Sequence, residues 1–244
     1  MKASPRFILL LLLVAGGLGI ALWFWNGPGA RVHRVDMLGP WGMGRDLAAR
    51  YPGSRVLIIS NPFTQHADVP KAILRQEESR VEGLRTGLEE GGMAVEVVYP
   101  ALKLGALEDP RSFIADSDTS TPLSFLVAEN AFDQLREPHP DADLMVSLIG
   151  IPADLTQGKA WNDPSGPRFA FFLPDLKLLG GRPGVEAAFA ADKLAAVVLT
   201  RPGSAAEDAE VGRLDDATFS EQFLLVHRDN AAAVMSKWGS LFSR

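Results

Sequence analysis

The sequence predicts a single doubly wound α/β domain, with a mainly parallel sheet in a Rossmann-like three-layer arrangement, behind an N-terminal transmembrane helix. Three observations support this prediction: one long apolar run near the N-terminus, six short apolar runs along the rest of the chain, and helix-forming stretches between them. Strands that alternate with helices form right-handed βαβ units, which place helices on both faces of a parallel sheet. The 244 residues suffice for one such domain.

The first element is the uncharged stretch of 19 residues from Phe7 to Trp25. At ~1.5 Å per residue, such a helix reaches the roughly 30 Å of a bilayer's hydrocarbon core. Lys2 and Arg6 precede it, so the positive-inside tendency keeps residues 1–6 in the cytoplasm and exports the rest. A cleaved signal peptide is the alternative, but it needs an apolar run of only about 7 to 15 residues and a small-residue cleavage site. We therefore expect a single-pass anchor, with the domain in the periplasm or extracellular space.

Residues 26–54 are rich in turn-forming residues, including the segments GPG, GPWGMG and YPG. Because Gly and Pro mark turns, we expect a linker here that lies on the domain, with one short helical stretch at Arg45–Arg50. The extracytoplasmic domain is then expected to cover residues 55–244.

The strands of the domain are predicted from short apolar runs that turn formers separate. They are Val56–Ser60, Val95–Tyr99, Leu144–Gly150, Phe169–Leu173, Ala195–Thr200 and Phe223–His227. Helices are predicted at 70–90, 122–136, 184–193 and 230–242. The first of them has the clearest apolar stripe, formed by Leu74, Val81, Leu84 and Leu88. Residues 151–168 show no helical pattern, and a loop of this length is expected to be functional or to cover a pocket.

Composition excludes several classes of function. The net charge of −6 gives no electrostatic footprint for a nucleic acid, so no nucleic-acid partner is expected. The chain has no Cys and therefore no disulfide, thiolate nucleophile or Cys-ligated metal. Its four His are far apart in sequence, and it lacks phosphate-loop, HExxH and GxSxG motifs. We therefore assign no catalytic residue, no metal ligand and no cofactor, and leave open whether the chain is an enzyme.

Candidate ligand contacts follow from their position after the predicted strands. In an open parallel sheet, ligands bind beyond the carboxyl ends of the strands, near the point where the strand order reverses. Polar residues at such positions include Asn61, Gln65, Asp154, Asp175, Arg201 and His227. Ordinary structural explanations are also open: Asn61 begins a turn, Arg201 can pair with a nearby acidic residue, and His227 can be a partly buried structural histidine.

One stretch of the sequence resembles a known family. The segments VLIISNPFTQ, GLRTGLEEGG, VEVVYP and PDADLMVSLIG resemble the first lobe of the periplasmic solute-binding proteins of bacterial ABC transporters, particularly the sugar-binding type. The likeness covers about Arg55 to Asp154, with a vaguer match at KLAAVVLTR, which ends at Arg201. It implies Asn61, Gln65, Asp154 and Arg201 as ligand contacts. Such proteins have two lobes, whereas this chain has room for one. A cleft between lobes would therefore require two chains facing each other, as in a homodimer.

Three functions remain open on the sequence. We favour a membrane-anchored, extracytoplasmic domain that binds or senses a small-molecule ligand, since polar groups follow the strands and catalytic motifs are missing. The second is a non-catalytic envelope scaffold that docks a protein partner. The third is a hydrolase or transferase in which His227, Asp229 and Arg201 act as base, orienting group and anion clamp. One fold hosts many functions, so the choice between them depends on the site.

Overall fold

The computed structural model describes residues 28–116, 119–204 and 213–243, with side chains from residue 36 onward. The predicted cytoplasmic tail (residues 1–6) and membrane anchor (residues 7–25) lie outside the described residues. Within the part described, no helix is both long and apolar enough to cross a bilayer.

Six strands form one sheet, as predicted. They are β1 (Arg55–Ile59), β2 (Ala94–Val98), β3 (Leu144–Ser147), β4 (Arg168–Phe172), β5 (Leu194–Thr200) and β6 (Phe223–Val226). Their order is β2-β1-β3-β4-β5-β6, and neighbouring strands are parallel except for β5 and β6, which are antiparallel. The order reverses between β1 and β3, because the chain crosses to β2 on one side of β1 and then returns to β3 on the other. The prediction of a mainly parallel α/β sheet is confirmed.

Helices cover both faces of the sheet. They are α1 (Pro28–Arg50), α2 (Lys71–Glu89), α3 (Leu123–Leu126), α4 (Ala131–Arg136), α5 (Lys159–Asn162), α6 (Gly181–Ala190), α7 (Asp216–Gln222) and α8 (Ala231–Lys237). Side chains alternate between the two faces of a strand. Ile58 and Val198 pack with α1, α2 and α7 on one face, whereas Ile59 and Phe171 pack with α4, α6 and α8 on the other. The sheet is therefore the middle of three layers.

Helix α1 corrects the prediction of a turn-rich linker over residues 26–54. The segment forms a helix of 23 residues, of which only Arg45–Arg50 was expected to be helical. Its Leu38, Met43 and Leu47 are fully buried in the core of one face. Packing of this apolar side stabilises the helix despite the poor helix propensity of its Gly and Pro residues. The folded domain thus includes α1 and does not begin at residue 55.

Glycines allow α1 and α2 to approach each other closely. A Cβ on Gly83 would lie 2.3 Å from the carbonyl oxygen of Met37, and one on Gly87 would lie 2.3 Å from that of Trp41. A Cβ on Gly44 would lie 2.6 Å from a carbonyl oxygen of α2. Because backbone atoms cannot move aside as side chains do, these positions require glycine. We call the contact formed by Gly44, Gly83 and Gly87 the glycine seam.

Several smaller predictions also need correction. The helix predicted over 122–136 is divided into α3 and α4, with Asn130 between them in a left-handed conformation at a φ of 55°. The predicted loop 151–168 contains a 3₁₀ turn and the short helix α5. Helix α7 was not predicted, and its cap is Asp215, whose carboxylate accepts from the N–H of Thr218 at 2.8 Å. Short helices fixed by caps and tertiary contacts leave little periodicity in the sequence.

Candidate functional site

The carboxyl edge of the sheet holds a buried carboxylate near the point where the strand order reverses. Glu77 of α2 is only 5% exposed. Its Oε1 accepts hydrogen bonds from the Ser60 hydroxyl at 2.8 Å and from the backbone N–H of Asn61 at 3.1 Å. Its Oε2 lies 3.7 Å from the guanidinium of Arg80. Glu77 therefore fixes the start of the turn that follows β1.

Two of the predicted ligand contacts lie in this turn, a 3₁₀ turn over Pro62–Gln65. The Asn61 Oδ1 accepts from the N–H of Phe63 at 3.0 Å, so this side chain caps the turn. Gln65 is exposed, donates to the Thr64 hydroxyl at 3.3 Å, and lines a pocket of about 390 Å³ beside α2 and β2. Asn61 thus has a structural partner within its own turn, whereas Gln65 faces open space.

A chain of hydrogen-bonded side chains runs along the same edge of the sheet. The Ser124 hydroxyl donates to that of Thr121 at 2.9 Å, and the hydroxyls of Thr121 and Thr119 lie 3.5 Å apart. Thr119 in turn donates to Oδ2 of Asp175 at 3.2 Å. Asp175, which follows β4, is 8% exposed, and its Oδ1 accepts from the N–H of Lys177 at 3.1 Å. We call Ser124, Thr121, Thr119 and Asp175 the hydroxyl–carboxylate chain.

A pocket of about 420 Å³ opens beside this chain, at the carboxyl ends of β4 and β5. Its polar lining consists of Ser120, Asp175, Lys177 and Thr200, and its apolar lining includes Leu173, Leu199 and Leu241. Leu173 has a φ of 46°, a left-handed backbone conformation that residues other than glycine rarely adopt. Such strain costs about 1–3 kcal/mol and is concentrated at ligand and active sites. This pocket, which we call the Asp175 pocket, is therefore the strongest candidate site.

The two buried carboxylates offer hydrogen-bond acceptors. Glu77 and Asp175 each accept from one hydroxyl and one backbone N–H. A carboxylate has about four lone-pair positions, so each retains capacity for further donors. In the described part of the chain, no three His, Asp or Glu side chains form a group that could hold a metal ion.

The remaining strand-end candidates lie elsewhere. Oδ2 of Asp154 accepts from the N–H of Asn130 at 2.6 Å and so holds the left-handed residue that precedes α4. Arg201 lines a separate cavity beside β6. Neither residue lines the pocket that contains Gln65. The predicted contacts are therefore not brought together in one pocket.

His227 lies at the opposite edge of the sheet. Because β6 runs antiparallel to β5, its end reaches the amino edge, where Nδ1 of His227 accepts from Nη2 of Arg50 at 2.9 Å. Burial and the positive charge of Arg50 lower the pKa of His227. The backbone N–H of Arg201 donates to the carbonyl oxygen of Gln222, which directly precedes β6. His227 follows the other end of β6, so at ~3.3 Å per strand residue it lies roughly 15 Å from Arg201. The structure thus separates the predicted base from the predicted anion clamp.

Acidification is expected to weaken the fold through His227. The pKa of His227 is lower in the folded chain than its ordinary value of 6.5. Its contribution to stability is therefore complete above pH 6.5. It is lost as the pH falls from 6.5 toward the pKa of the folded state, because the unfolded chain binds the proton first. The His227→Asn variant keeps an acceptor for Arg50 but cannot titrate. We expect its unfolding midpoint to fall less between pH 7.5 and pH 5.5 than that of the wild type, while the exposed-site control His66→Asn falls as the wild type does. An equal fall in His227→Asn would contradict this assignment.

The sequence contains a signal for Glu77 that the strand-end rule does not capture. Glu77 follows Leu74 by three residues and precedes Val81 by four, so it lies on the apolar stripe of α2. A charged residue on such a stripe indicates a buried group with a partner. No pattern marks Thr119, Thr121 and Ser124, because they come from a segment far from Asp175 in the chain.

Comparisons with known proteins return matches among solved structures, with TM-scores below 0.5 for those described here. No family model and no curated protein sequence matches the chain. Solved structures that match include a sugar ABC transport system substrate-binding protein from Bordetella parapertussis, with 14% identity and a TM-score of 0.40 over 67% of this chain and 41% of that one. GanP, a glucose-galactose binding protein from Geobacillus stearothermophilus, has 12% identity and a TM-score of 0.47 over 80% and 61% of the two chains.

A third structure, a carbohydrate transporter from Acidothermus cellulolyticus in complex with myo-inositol, has 15% identity and a TM-score of 0.47 over 85% and 62% of the two chains. The chain spans less than two thirds of the length of each of these structures. The matched structures thus include solute-binding proteins, the family that part of the sequence resembles.

Proposed function

We propose that this chain is a membrane-anchored, extracytoplasmic domain that binds a small polyhydroxy molecule in the Asp175 pocket. The observation that carries the proposal is the hydroxyl–carboxylate chain, which ends on a buried carboxylate beside a pocket at the carboxyl edge of the sheet. Ligands of open α/β sheets bind at this edge.

The chemistry of the pocket suits a ligand with several hydroxyl groups. Hydroxyls both donate and accept, so one can donate to Asp175 while another accepts from Lys177 at the rim. Lys177 is itself held by Asp116, at 3.2 Å, which fixes where its charge lies. The apolar Leu199 and Leu241 can pack against the C–H surface between the ligand's hydroxyl groups.

The anchor and the location belong to the same proposal. Residues 7–25 have the length and apolarity of a membrane span, and the basic residues before them favour export of the remainder of the chain. The domain would then sample solutes outside the cytoplasm. The competing hydrolase or transferase hypothesis needs His227 near Arg201, and these two residues lie at opposite edges of the sheet.

The proposal is tested by ligand binding to the full-length chain in detergent micelles. Native mass spectrometry is expected to detect a co-purified molecule, and titration with D-glucose or myo-inositol is expected to raise the unfolding temperature. Asp175→Asn keeps the acceptor for the N–H of Lys177 but loses the negative charge. Loss of one charge-assisted hydrogen bond costs about 1.5–3 kcal/mol, so affinity should fall by about 10- to 100-fold.

The matched control is Asp68→Asn, which removes the charge of an exposed loop carboxylate and should leave the affinity unchanged. If Asp175→Asn binds the ligand with the same affinity as the wild type, the ligand does not bind in the Asp175 pocket. Absence of a co-purified molecule together with no response to either probe would reject the polyhydroxy ligand. Recovery of the chain in the soluble fraction after cell lysis would reject the anchor independently of ligand binding.

A further inference from the structure

The exposed large apolar side chains are concentrated at one end of the domain. In the part of the chain that the structure describes, they are Ile73, Tyr99, Leu104 and Leu107, with exposed fractions of 40%, 38%, 99% and 45%. Ile73 lies in the first turn of α2, which follows the carboxyl end of β1, and the other three lie in the loop that follows β2. Because β1 and β2 are parallel, all four lie at the carboxyl edge of the sheet. We call these four residues the apolar rim.

Packing inside the domain does not account for the loop of the apolar rim. Leu104 is almost fully exposed, and Gly105 beside it has a φ of 85°, which fits a tight turn. The N–H of Lys103 donates to the carbonyl oxygen of Leu126 at 2.9 Å, and that of Ala106 donates to the carbonyl oxygen of Lys103 at 3.0 Å. The backbone thus holds Leu104 outward in a fixed turn. A single exposed leucine is ordinary, but several exposed apolar side chains at one end indicate an interaction surface.

The packing of α1 on α2 brings the apolar rim level with the start of α1. The contacts of the glycine seam advance together along both helices, so the helices run in the same direction, with Gly83 against Met37. Ile73 precedes Gly83 by ten residues. Pro28 precedes Met37 by nine, so at ~1.5 Å per residue Ile73 and Pro28 both lie roughly 15 Å beyond this contact. Pro28 follows the predicted membrane span, residues 7–25, by three residues. The surface of the bilayer would therefore pass close to Ile73.

The charged side chains beside the apolar rim have both signs. Lys71, Arg75 and Lys103 are basic, whereas Asp68 and Glu108 are acidic. A zwitterionic phospholipid offers its phosphate to the basic groups and its ammonium group to the acidic ones. Long basic side chains also reach head groups while their stems lie along apolar surface. This mixture favours a neutral phospholipid surface over an anionic one.

We propose that the apolar rim rests on the bilayer, with Leu104 and Leu107 among the upper acyl chains and the charged side chains among zwitterionic head groups. The inference rests on the proposed anchor in residues 7–25, which brings this end of the domain to the membrane. Apolar groups at such an interface reach about 5–10 Å into the boundary between head groups and acyl chains. No residue of the apolar rim lines the Asp175 pocket, so this contact leaves that pocket free for a ligand.

Fluorescence quenching in nanodiscs tests the contact. Because the chain has no Cys, a single Cys in the full-length protein carries a fluorophore at one known site. Leu104→Cys places it in the apolar rim, and the matched control Glu89→Cys places it at the exposed last residue of α2, at the opposite edge of the sheet. The discs consist of phosphatidylcholine and hold one chain each, with or without a spin label near the top of the acyl chains. We expect the spin label to lower the fluorescence at position 104 by at least about twofold and to leave that at position 89 unchanged.

A second reporter separates docking by the apolar rim from attraction of the dye to lipid. Glu108→Cys carries the fluorophore in the same loop, and Leu104→Asp, a change at a fully exposed site, adds a charge that is costly to place among acyl chains. We expect quenching at position 108 in the otherwise unchanged chain and in the apolar control Leu104→Met. In Leu104→Asp, the quenching should fall to the level found at position 89.

The possible outcomes separate the docking from the anchor. Failure of the full-length chain to enter the discs would reject the anchor and the docking together. A chain that enters the discs without quenching at position 104 would keep the anchor and overturn the docking. Quenching at position 108 that Leu104→Asp leaves unchanged would show that the tether alone brings the loop to the bilayer, and the proposal would then be wrong.

Discussion

The Gly87→Leu variant is expected to lose about 3 kcal/mol or more of its free energy of unfolding, at the upper end of the usual cost of overpacking. A Cβ at this position would meet the carbonyl oxygen of Trp41 at 2.3 Å and the backbone nitrogen of Arg45 at 2.8 Å. Both atoms belong to the backbone of α1, so the clash cannot be relieved by a change of rotamer. Leucine is a better helix former than glycine, which means that the loss cannot come from helix propensity.

Urea unfolding followed by circular dichroism measures this loss. Gly239→Ala is the matched control, since a Cβ there has nothing within 4 Å, and it should unfold at the wild-type urea concentration. A Gly87→Leu variant as stable as the wild type would show that α1 and α2 can separate at no cost, and the glycine seam would then have no role in holding α1 on the sheet.

Replacement of Glu77 by alanine is expected to destabilise the fold by about 3 kcal/mol, because it leaves the hydroxyl of Ser60 and the N–H of Asn61 buried without an acceptor. Glu77→Gln retains an amide oxygen for both donors and loses only the charge that faces Arg80 at 3.7 Å. We therefore expect the glutamine variant to lose less than half as much stability as the alanine variant.

The comparison of the two variants separates hydrogen bonding from charge. Both are measured by urea unfolding at pH 7, with the exposed neighbour Glu78→Ala as a control that should stay near the wild type. Equal losses in the alanine and glutamine variants would show that the ion pair with Arg80 dominates. That result would reject the role assigned to Glu77 in fixing the turn after β1.

The strands could be predicted from the sequence because the signal for each is local. Each of the six predicted runs became a strand within about a residue at its start. Most of these strands are buried on both faces and need little more than a continuous apolar segment, whereas the edge strand β2 alternates exposed Ala94 and Glu96 with less exposed valines. Helix α1 could not be predicted in the same way. Its Gly and Pro residues indicate turns when read locally, and their role as points of close contact with α2 depends on a partner that the local sequence does not show.

The site was predictable in part for a similar reason. The position of Asp175 after a strand placed it at the carboxyl edge, as the rule for parallel sheets requires. The direction of β6 is not encoded in its own four residues, so His227 was assigned to the wrong edge. Thr119 and Thr121 reach Asp175 only through the folded topology.

The direction of α1 has a consequence for how a ligand would arrive. Its last residue, Arg50, lies just before β1, and Gly39 near its middle contacts Phe172 at the far end of β4, so α1 runs antiparallel to the strands. The residues before Leu38 therefore extend past the carboxyl edge by roughly 15 Å. If residues 7–25 lie in the bilayer as proposed, the mouth of the Asp175 pocket would face the membrane. Exchange of ligand with a membrane protein would then be a two-dimensional encounter at high effective concentration, in which even a weak complex suffices for transfer.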